Sequence, residues 1–198
     1  MAICLLIFLL KACMVTRYQK LVKEDCRLVP ETKYAVAKHA VEVLVENAFE
    51  GAETQWTSIR LSNICENSGR IHEFVQNVLC KVPMRIQNVN NMYQFLSAKD
   101  FAAALASVAI KPNLDMKHHV YNLGNNHVYS ELGIAKCVQG VAKSFFDLEA
   151  DIEYEGEPLQ QFKAMDSTLF YNDFSWEPKC VELVDMVKAA FLYEINKQ

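Results

Sequence analysis

Tyr34-Ala-Val-Ala-Lys38, opened by Thr32 and closed by Gly51, is the stretch from which the fold can be read. Threonine is a good helix N-cap and glycine a good helix terminator, so the segment between them is predicted to be helical. Residues four apart on a helix stand one above the other, which puts Tyr34 and Lys38 on one face. An ammonium beside a phenol favours the phenolate, drawing the tyrosine below its ordinary pKa of about 10 and making it a usable proton donor and acceptor. In the same segment Val36, Ala40, Val43 and Leu44 form an apolar stripe, and Val41 and Val45 lie nearer the Tyr34/Lys38 side. A helix apolar on two sides is expected to be buried on two sides. The pair alone also describes ordinary surface helices, and the rest of the chain decides between the two readings.

Upstream, Met1 to Leu10 is uninterrupted apolar sequence. Such a run is too short to cross a bilayer, which takes roughly 20 residues. No positive charge precedes it and no clear small-x-small site follows, so a buried parallel strand explains it at least as well as a signal peptide. Residues 16–32 are polar and read as a loop. Downstream, strands are predicted at 55–62, 84–87, 93–97, 118–123 and 152–154. Helices are predicted at 71–80, at 101–110 between Asp100 and Pro112, at 132–146 after Ser130, and at 181–195. Strands alternating with helices at this spacing indicate an α/β protein with a parallel sheet.

The 198 residues suit one domain with a real core. A net charge of -4 without any basic block argues against nucleic acid and against electrostatic membrane docking. Seven scattered cysteines without a CxxC read as reduced thiols of a cytoplasmic protein rather than a disulfide frame or zinc site. His118 and His119 adjoin one strand and face opposite ways, which argues against a shared metal, and His39 and His72 have no evident partner. Asp100 is read as a helix N-cap, and Asn122 and Gly124 as turn formers.

Four further motifs follow the tyrosine–lysine pair in order: Ser58-Ile-Arg-Leu-Ser-Asn63-Ile-Cys, Phe95-Leu-Ser-Ala-Lys-Asp100-Phe-Ala, Val120-Tyr-Asn-Leu-Gly124 and Phe174-Ser-Trp-Glu-Pro178. Together they resemble the extended short-chain dehydrogenase/reductase family of NAD-dependent nucleotide-sugar epimerases and dehydratases. In that family the tyrosine–lysine helix precedes an R-x-x-N strand end, an F-x-x-x-x-D-x-A helix start, a Y-N-x-G strand end and a closing W-x-P. The resemblance runs from about residue 20 to residue 195. It implies that Tyr34 is the catalytic acid/base on a sugar hydroxyl, and that Lys38 lowers its pKa and binds the nicotinamide ribose of NAD or NADP. Asn63 would contact the diphosphate or sugar of a nucleotide-sugar substrate, with a loop-satisfying turn residue as the equal reading. A serine or threonine before the tyrosine would bind the substrate hydroxyl, a place Thr16 or Cys13 takes here. The family's diphosphate-pairing arginine stands as Tyr93, with Arg85 nearby as the substitute.

The resemblance also implies a departure. The family opens with a strand, a glycine-rich turn and a helix that cradle the dinucleotide pyrophosphate. This chain has six glycines, the first at Gly51, and no G-x-x-G-x-x-G. The expectation is therefore a single truncated domain: an incomplete Rossmann-like parallel sheet, the C-terminal half, with a small mixed α/β substrate-binding part. Residues 1–62 and 98–122 would be the Rossmann-like remnant, and 63–97 and 123–198 mainly the substrate-binding part. The expected function is that of an epimerase, dehydratase or reductase with weak or no activity alone. The alternatives are a non-catalytic subunit pairing with a full-length relative as homodimer or heterodimer through the Tyr34–Lys38 helix, or a truncated gene product.

Overall fold

The computed structural model describes residues 3–8, 21–30, 32–51, 55–110, 119–156 and 161–197. Its centre is a β-α-β unit. Strand β1 (Ile3–Phe8) is followed by helix α1 (Lys33–Phe49), and strand β2 (Gln55–Leu61) returns parallel to β1, with Ile3 opposite Gln55 and Phe8 opposite Arg60. The apolar run at the N-terminus is thus a strand, as expected from its length and composition. Two short strands and a helix come next: β3 (Asn63–Ile64), α2 (Gly69–Leu79) and β4 (Met84–Ile86). The predicted strand at 93–97 is broken into β5 (Met92–Tyr93) and β6 (Phe95–Leu96), because Gln94 between them leaves both ladders. Helix α3 (Ala98–Ala109) leads to β7 (Val120–Leu123), which pairs parallel with the other edge of β2. The sheet order is β1-β2-β7.

The remaining elements are β8 (Tyr129–Ser130), α4 (Glu131–Phe146), β9 (Ile152–Tyr154), β10 (Phe162–Lys163), α5 (Thr168–Phe174) and α6 (Leu183–Asn196). They build small pairings: β3 with β6, β4 with β9, and β5 between β10 and β8. Residues 56–61 of β2 are all buried, as a strand covered on both faces must be. One apolar core lies where β2 and β7 meet α3 and α5, around Ile59, Leu61, Val108, Tyr121 and Phe170. A second joins α2, α4 and α6 over β4, around Phe74, Met84, Val138, Met186 and Phe191. Short α5 carries two residues of the first core, Phe170 and Phe174, although its seven residues gave no helical signal in the sequence.

Helix α1 corrects the sequence reading most. Thr32 does cap it, its Oγ1 accepting from Ala35 N–H at 3.1 Å, and Gly51 does close it at φ 72°. Its buried residues, however, are Ala35 and Glu42. Val36 is 52% exposed and Leu44 67%, with Val41 and Val43 also exposed. The polar side faces the sheet because Arg60 on β2 needs a carboxylate. Arg60 grips Glu42 through Nε to Oε2 (3.1 Å) and Nη2 to Oε1 (2.7 Å), and Ser58 Oγ donates to the same carboxylate at 2.9 Å.

Three smaller corrections concern polar side chains. Ser97, not Asp100, caps α3, its Oγ accepting from Asp100 N–H at 3.0 Å. The Asp100 carboxylate instead accepts N–H groups from Lys179 and Cys180, tying the segment after Trp176 to the start of α3. Asn122 lies inside β7, where its side-chain amide donates to the carbonyls of Val22 and Asp166. His72 does have a neighbour, with Nδ1 3.7 Å from the Glu194 carboxylate.

Glu131, the first residue of α4, is wholly buried and bonded on every side. It pairs with Arg70 at 2.5 Å and accepts from Gln87 N–H, Asn88 N–H and the Asn91 amide. Removing one partner of such a pair strands the other charge. Glu131→Ala is expected to lower the unfolding free energy by about 3–5 kcal/mol, read as a fall in the urea midpoint without a change in slope.

Candidate functional site

The candidate site gathers at the carboxyl end of the β1-β2-β7 sheet, the end where open α/β sheets bind ligands. Tyr34 sits in the first turn of α1 and is 48% exposed, and Lys38 follows one turn later, half-buried. The Lys38 ammonium stands 5.7 Å from the centre of the Tyr34 ring. It makes no ion pair among the described residues. Burial pushes the Tyr34 phenol above its ordinary value, opposite in direction to the lowering expected from the lysine. At neutral pH the phenol therefore holds its proton, ready to donate it.

Asn63 follows the end of β2, half-buried between two backbones. Its amide reaches the Gln94 carbonyl at 3.5 Å. On the other side it fills the space that Gly69 leaves: a Cβ there would sit 2.6 Å from Asn63 Cγ. Gly69 has φ 73°, which suits glycine alone, so the turn into α2 and the placement of Asn63 depend on one another. Beside it, Ser62 is buried at 1% exposure, and its Oγ has no hydrogen-bond partner among the described residues. An orphaned buried hydroxyl needs an explanation, and a ligand at the strand end is one. The sequence reading passed over Ser62. Its place inside the Arg60-Leu-Ser-Asn63 strand end was the available signal.

Gln94 was also missed. It is wholly buried, and its amide exchanges both hydrogen bonds with the Met165 backbone, at 2.7 and 3.2 Å. Gly124 lies flat against it, since a Cβ at Gly124 would fall 2.5 Å from Gln94 Oε1. Arg85, by contrast, is exposed on β4 and faces Glu153 and Glu155 at 3.4 and 3.6 Å, so the structure does not bring it to Asn63. Thr16 and Cys13 lie outside the described residues, as does His118. His119 stacks on Trp56 with ring centres 4.7 Å apart.

Thiol chemistry finds no support near the site. Burial, more than the neighbouring carboxylates, raises both cysteines beside the α3 start, Cys180 to about 11, so both stay protonated at neutral pH. No group of three or more His, Cys, Asp or Glu able to hold a metal ion occurs among the described residues. Nor is any described helix long and apolar enough to cross a membrane.

The residues fit one end of a nicotinamide dinucleotide. Tyr34 and Lys38 offer polar groups suited to a ribose. Among the described residues no glycine-rich strand-to-helix turn offers a seat for the pyrophosphate. Gly51 and Gly156, which share the left-handed conformation of Gly69, face open space.

Comparison with known proteins bears on the family and the fold. A model of the NAD dependent epimerase/dehydratase family matches residues 4–124. No curated protein matches the chain in sequence. Among solved structures, the dTDP-glucose 4,6-dehydratase of Bacillus anthracis in complex with NAD is similar at TM-score 0.80 and 17% identity, covering 98% of this chain and 62% of that one. The UDP-glucuronic acid 4-epimerase of Bacillus cereus with NAD gives TM-score 0.80, 16% identity and the same coverages. The UDP-glucose 4-epimerase of Thermus thermophilus with NAD gives 0.79 at 14% identity, covering 98% and 64%. At such identities the likeness is one of fold, and the chain spans less than two thirds of each of these relatives.

Gly69 offers a direct test of the strand-end geometry. Gly69→Ala adds left-handed strain and drives a methyl into Asn63, so it is expected to cost about 1–3 kcal/mol in urea unfolding. The further substitution Asn63→Ala opens the space and should recover part of that loss. A full loss in the double variant would show that the strain, not the contact, decides.

Proposed function

This chain belongs to the NAD dependent epimerase/dehydratase family, and we propose that it carries the proton-transfer and sugar-binding part of an enzyme acting on a nucleotide sugar with NAD or NADP. The observation that carries the reading is the exposed first turn of α1, where the Lys38 ammonium stands 5.7 Å from the centre of the Tyr34 ring. Tyr34 takes the proton from a sugar hydroxyl as its carbon gives up a hydride, and in the reverse direction gives a proton to the carbonyl oxygen as that carbon receives a hydride. Lys38 holds a ribose hydroxyl and offsets negative charge on the phenol. Asn63 and Ser62 orient the substrate at the strand end, and Thr16 is the residue assigned to its hydroxyl. When bound, the nicotinamide supplies the hydride acceptor and donor.

Alone, the chain is expected to catalyse weakly or not at all, since the 198 residues hold no glycine-rich pyrophosphate turn. A cytoplasmic, reduced setting suits its unpaired thiols. The second reading is a subunit that pairs with a relative, and a specific observation favours it: the apolar residues of α1 lie on its exposed side.

Three measurements bear on these readings. Titration of NADH into the isolated chain by calorimetry is expected to show no micromolar binding, and micromolar binding would overturn the expectation of weak activity. In any preparation that is active, Tyr34→Phe should lower kcat by about 100-fold or more, the usual contribution of a positioned acid/base. Sedimentation at high concentration tests the subunit reading, which a clean monomer would count against.

A further inference from the structure

Glu42 stands four residues after Lys38, as Lys38 stands four after Tyr34, so all three follow one face of α1. Helical side chains lean toward the N-terminus, which aims Glu42 at Lys38 and Lys38 at Tyr34. Left to the helix alone, the ammonium would have two competing neighbours, a phenol on one side and a carboxylate on the other. Opposite charges at this spacing attract.

The structure settles the competition from β2. Both Glu42 oxygens are taken, by Arg60 Nε at 3.1 Å, Arg60 Nη2 at 2.7 Å and Ser58 Oγ at 2.9 Å. The remaining arm of the fork, Nη1, donates to the Glu24 carbonyl at 2.9 Å, which fixes the guanidinium plane. Glu42 is buried, and Lys38 points to the tyrosine ring instead. On α1 itself the other groups near this carboxylate are His39, whose buried Nδ1 has no partner among the described residues, and the exposed Glu46.

We propose that Arg60 is a positioning residue for the Tyr34–Lys38 pair: by holding the Glu42 carboxylate against β2, it keeps that carboxylate from drawing the Lys38 ammonium off Tyr34. The proposal rests on the pair assigned above but needs neither cofactor nor turnover to be tested. The buried ion pair thus does more than join helix to sheet. It decides which of two neighbours the lysine serves.

The test is the titration of the Tyr34 phenol in the full 198-residue chain without cofactor, followed by carbon NMR of labelled tyrosine and assigned with Tyr34→Phe. Lys38→Met calibrates the lysine. With the ammonium over the ring and the phenol half exposed, losing the charge should raise the phenol midpoint by about half a pH unit. Arg60→Met frees Glu42 and should raise the midpoint by a similar amount. Glu42→Gln also breaks the ion pair but frees no carboxylate, so the midpoint should stay where it is. Combining Arg60→Met with Glu42→Gln should return it to the starting value.

A purely structural role predicts something else: both single variants would move the phenol alike. That outcome overturns the proposal. So does an Arg60→Met protein that folds and leaves the phenol unmoved, as when His39 captures the freed carboxylate. If Lys38→Met leaves the midpoint unchanged, the pair itself is uncoupled and the proposal falls with it. If Lys38→Met moves the midpoint and Arg60→Met does not, only the role of Arg60 fails. Should Arg60→Met not fold, Arg60→Lys keeps a charge but holds one oxygen at a time. It should give a smaller rise, and no rise would overturn the proposal.

Discussion

A carboxylate buried between a helix and a sheet must be answered by a cation, and the rest of this structure is arranged around that requirement. Glu42 is the buried charge, Arg60 the answer, and their bidentate contact fixes how α1 is rotated on β2. Taking two charges out of water costs about as much as their attraction returns, so the pair is poor evidence of net stability. What it supplies is direction. With Glu42 turned inward, Val36 and Leu44 must turn outward, and Tyr34 and Lys38 come to the edge where the strands end. The same fork reaches the Glu24 carbonyl, and the Glu24 carboxylate accepts from Asn122 N–H. One guanidinium therefore links α1, β2, the loop before α1 and β7.

That constraint explains both the success and the failure of reading this chain by pattern. The parallel sheet was legible because strands alternate with helices along the chain and because β1 is written as an apolar run. The helix caps were legible because Thr32, Ser130 and Gly51 act locally. The rotation of α1 was not, since apolar spacing predicts that valines face inward and cannot weigh a buried ion pair made with a residue on another strand. Tyr34, Lys38 and Asn63 were singled out through the order of motifs. Ser62 was passed over although it lies inside a quoted motif, and Gln94 was missed because nothing local distinguishes a buried glutamine from an exposed one. Their roles come from Leu123, Met165 and Gly124, all distant in sequence.

The small pairings beyond the main sheet follow a related rule. Strands of two or three residues cannot hold themselves, so each is pinned by a buried polar side chain that does the work of missing ladder bonds. Gln94 exchanges bonds with Met165 where β5 and β6 part. Glu131 closes the turn after β4 and takes Arg70 from α2. Glu66 accepts from Ala98 N–H at the start of α3, and Asp100 accepts from the segment before α6. Two apolar cores are thereby joined by carboxylates and amides rather than by continuous apolar packing. A site assembled from strand ends, a helix start and loops needs that kind of joint, because each joint specifies one geometry.

The same electrostatics bears on when the tyrosine–lysine pair can act. A full charge at about 6–8 Å is worth about 0.5–0.7 kcal/mol in bulk water and about 2–3 kcal/mol at the effective dielectric typical near a protein surface. Tyr34 is nearly half exposed, so the ammonium now works near the lower figure, and the burial that Tyr34 does have pushes its phenol the other way. Excluding water from this face would strengthen the lysine several-fold, while the added burial would cost the phenolate more. The net gain depends on a second favourable group being brought close to the phenol, such as a ribose or sugar hydroxyl donating to it. On the role proposed for Tyr34, proton transfer would therefore depend on a bound ligand that brings such a group and excludes water, which the alignment of the helix alone does not do.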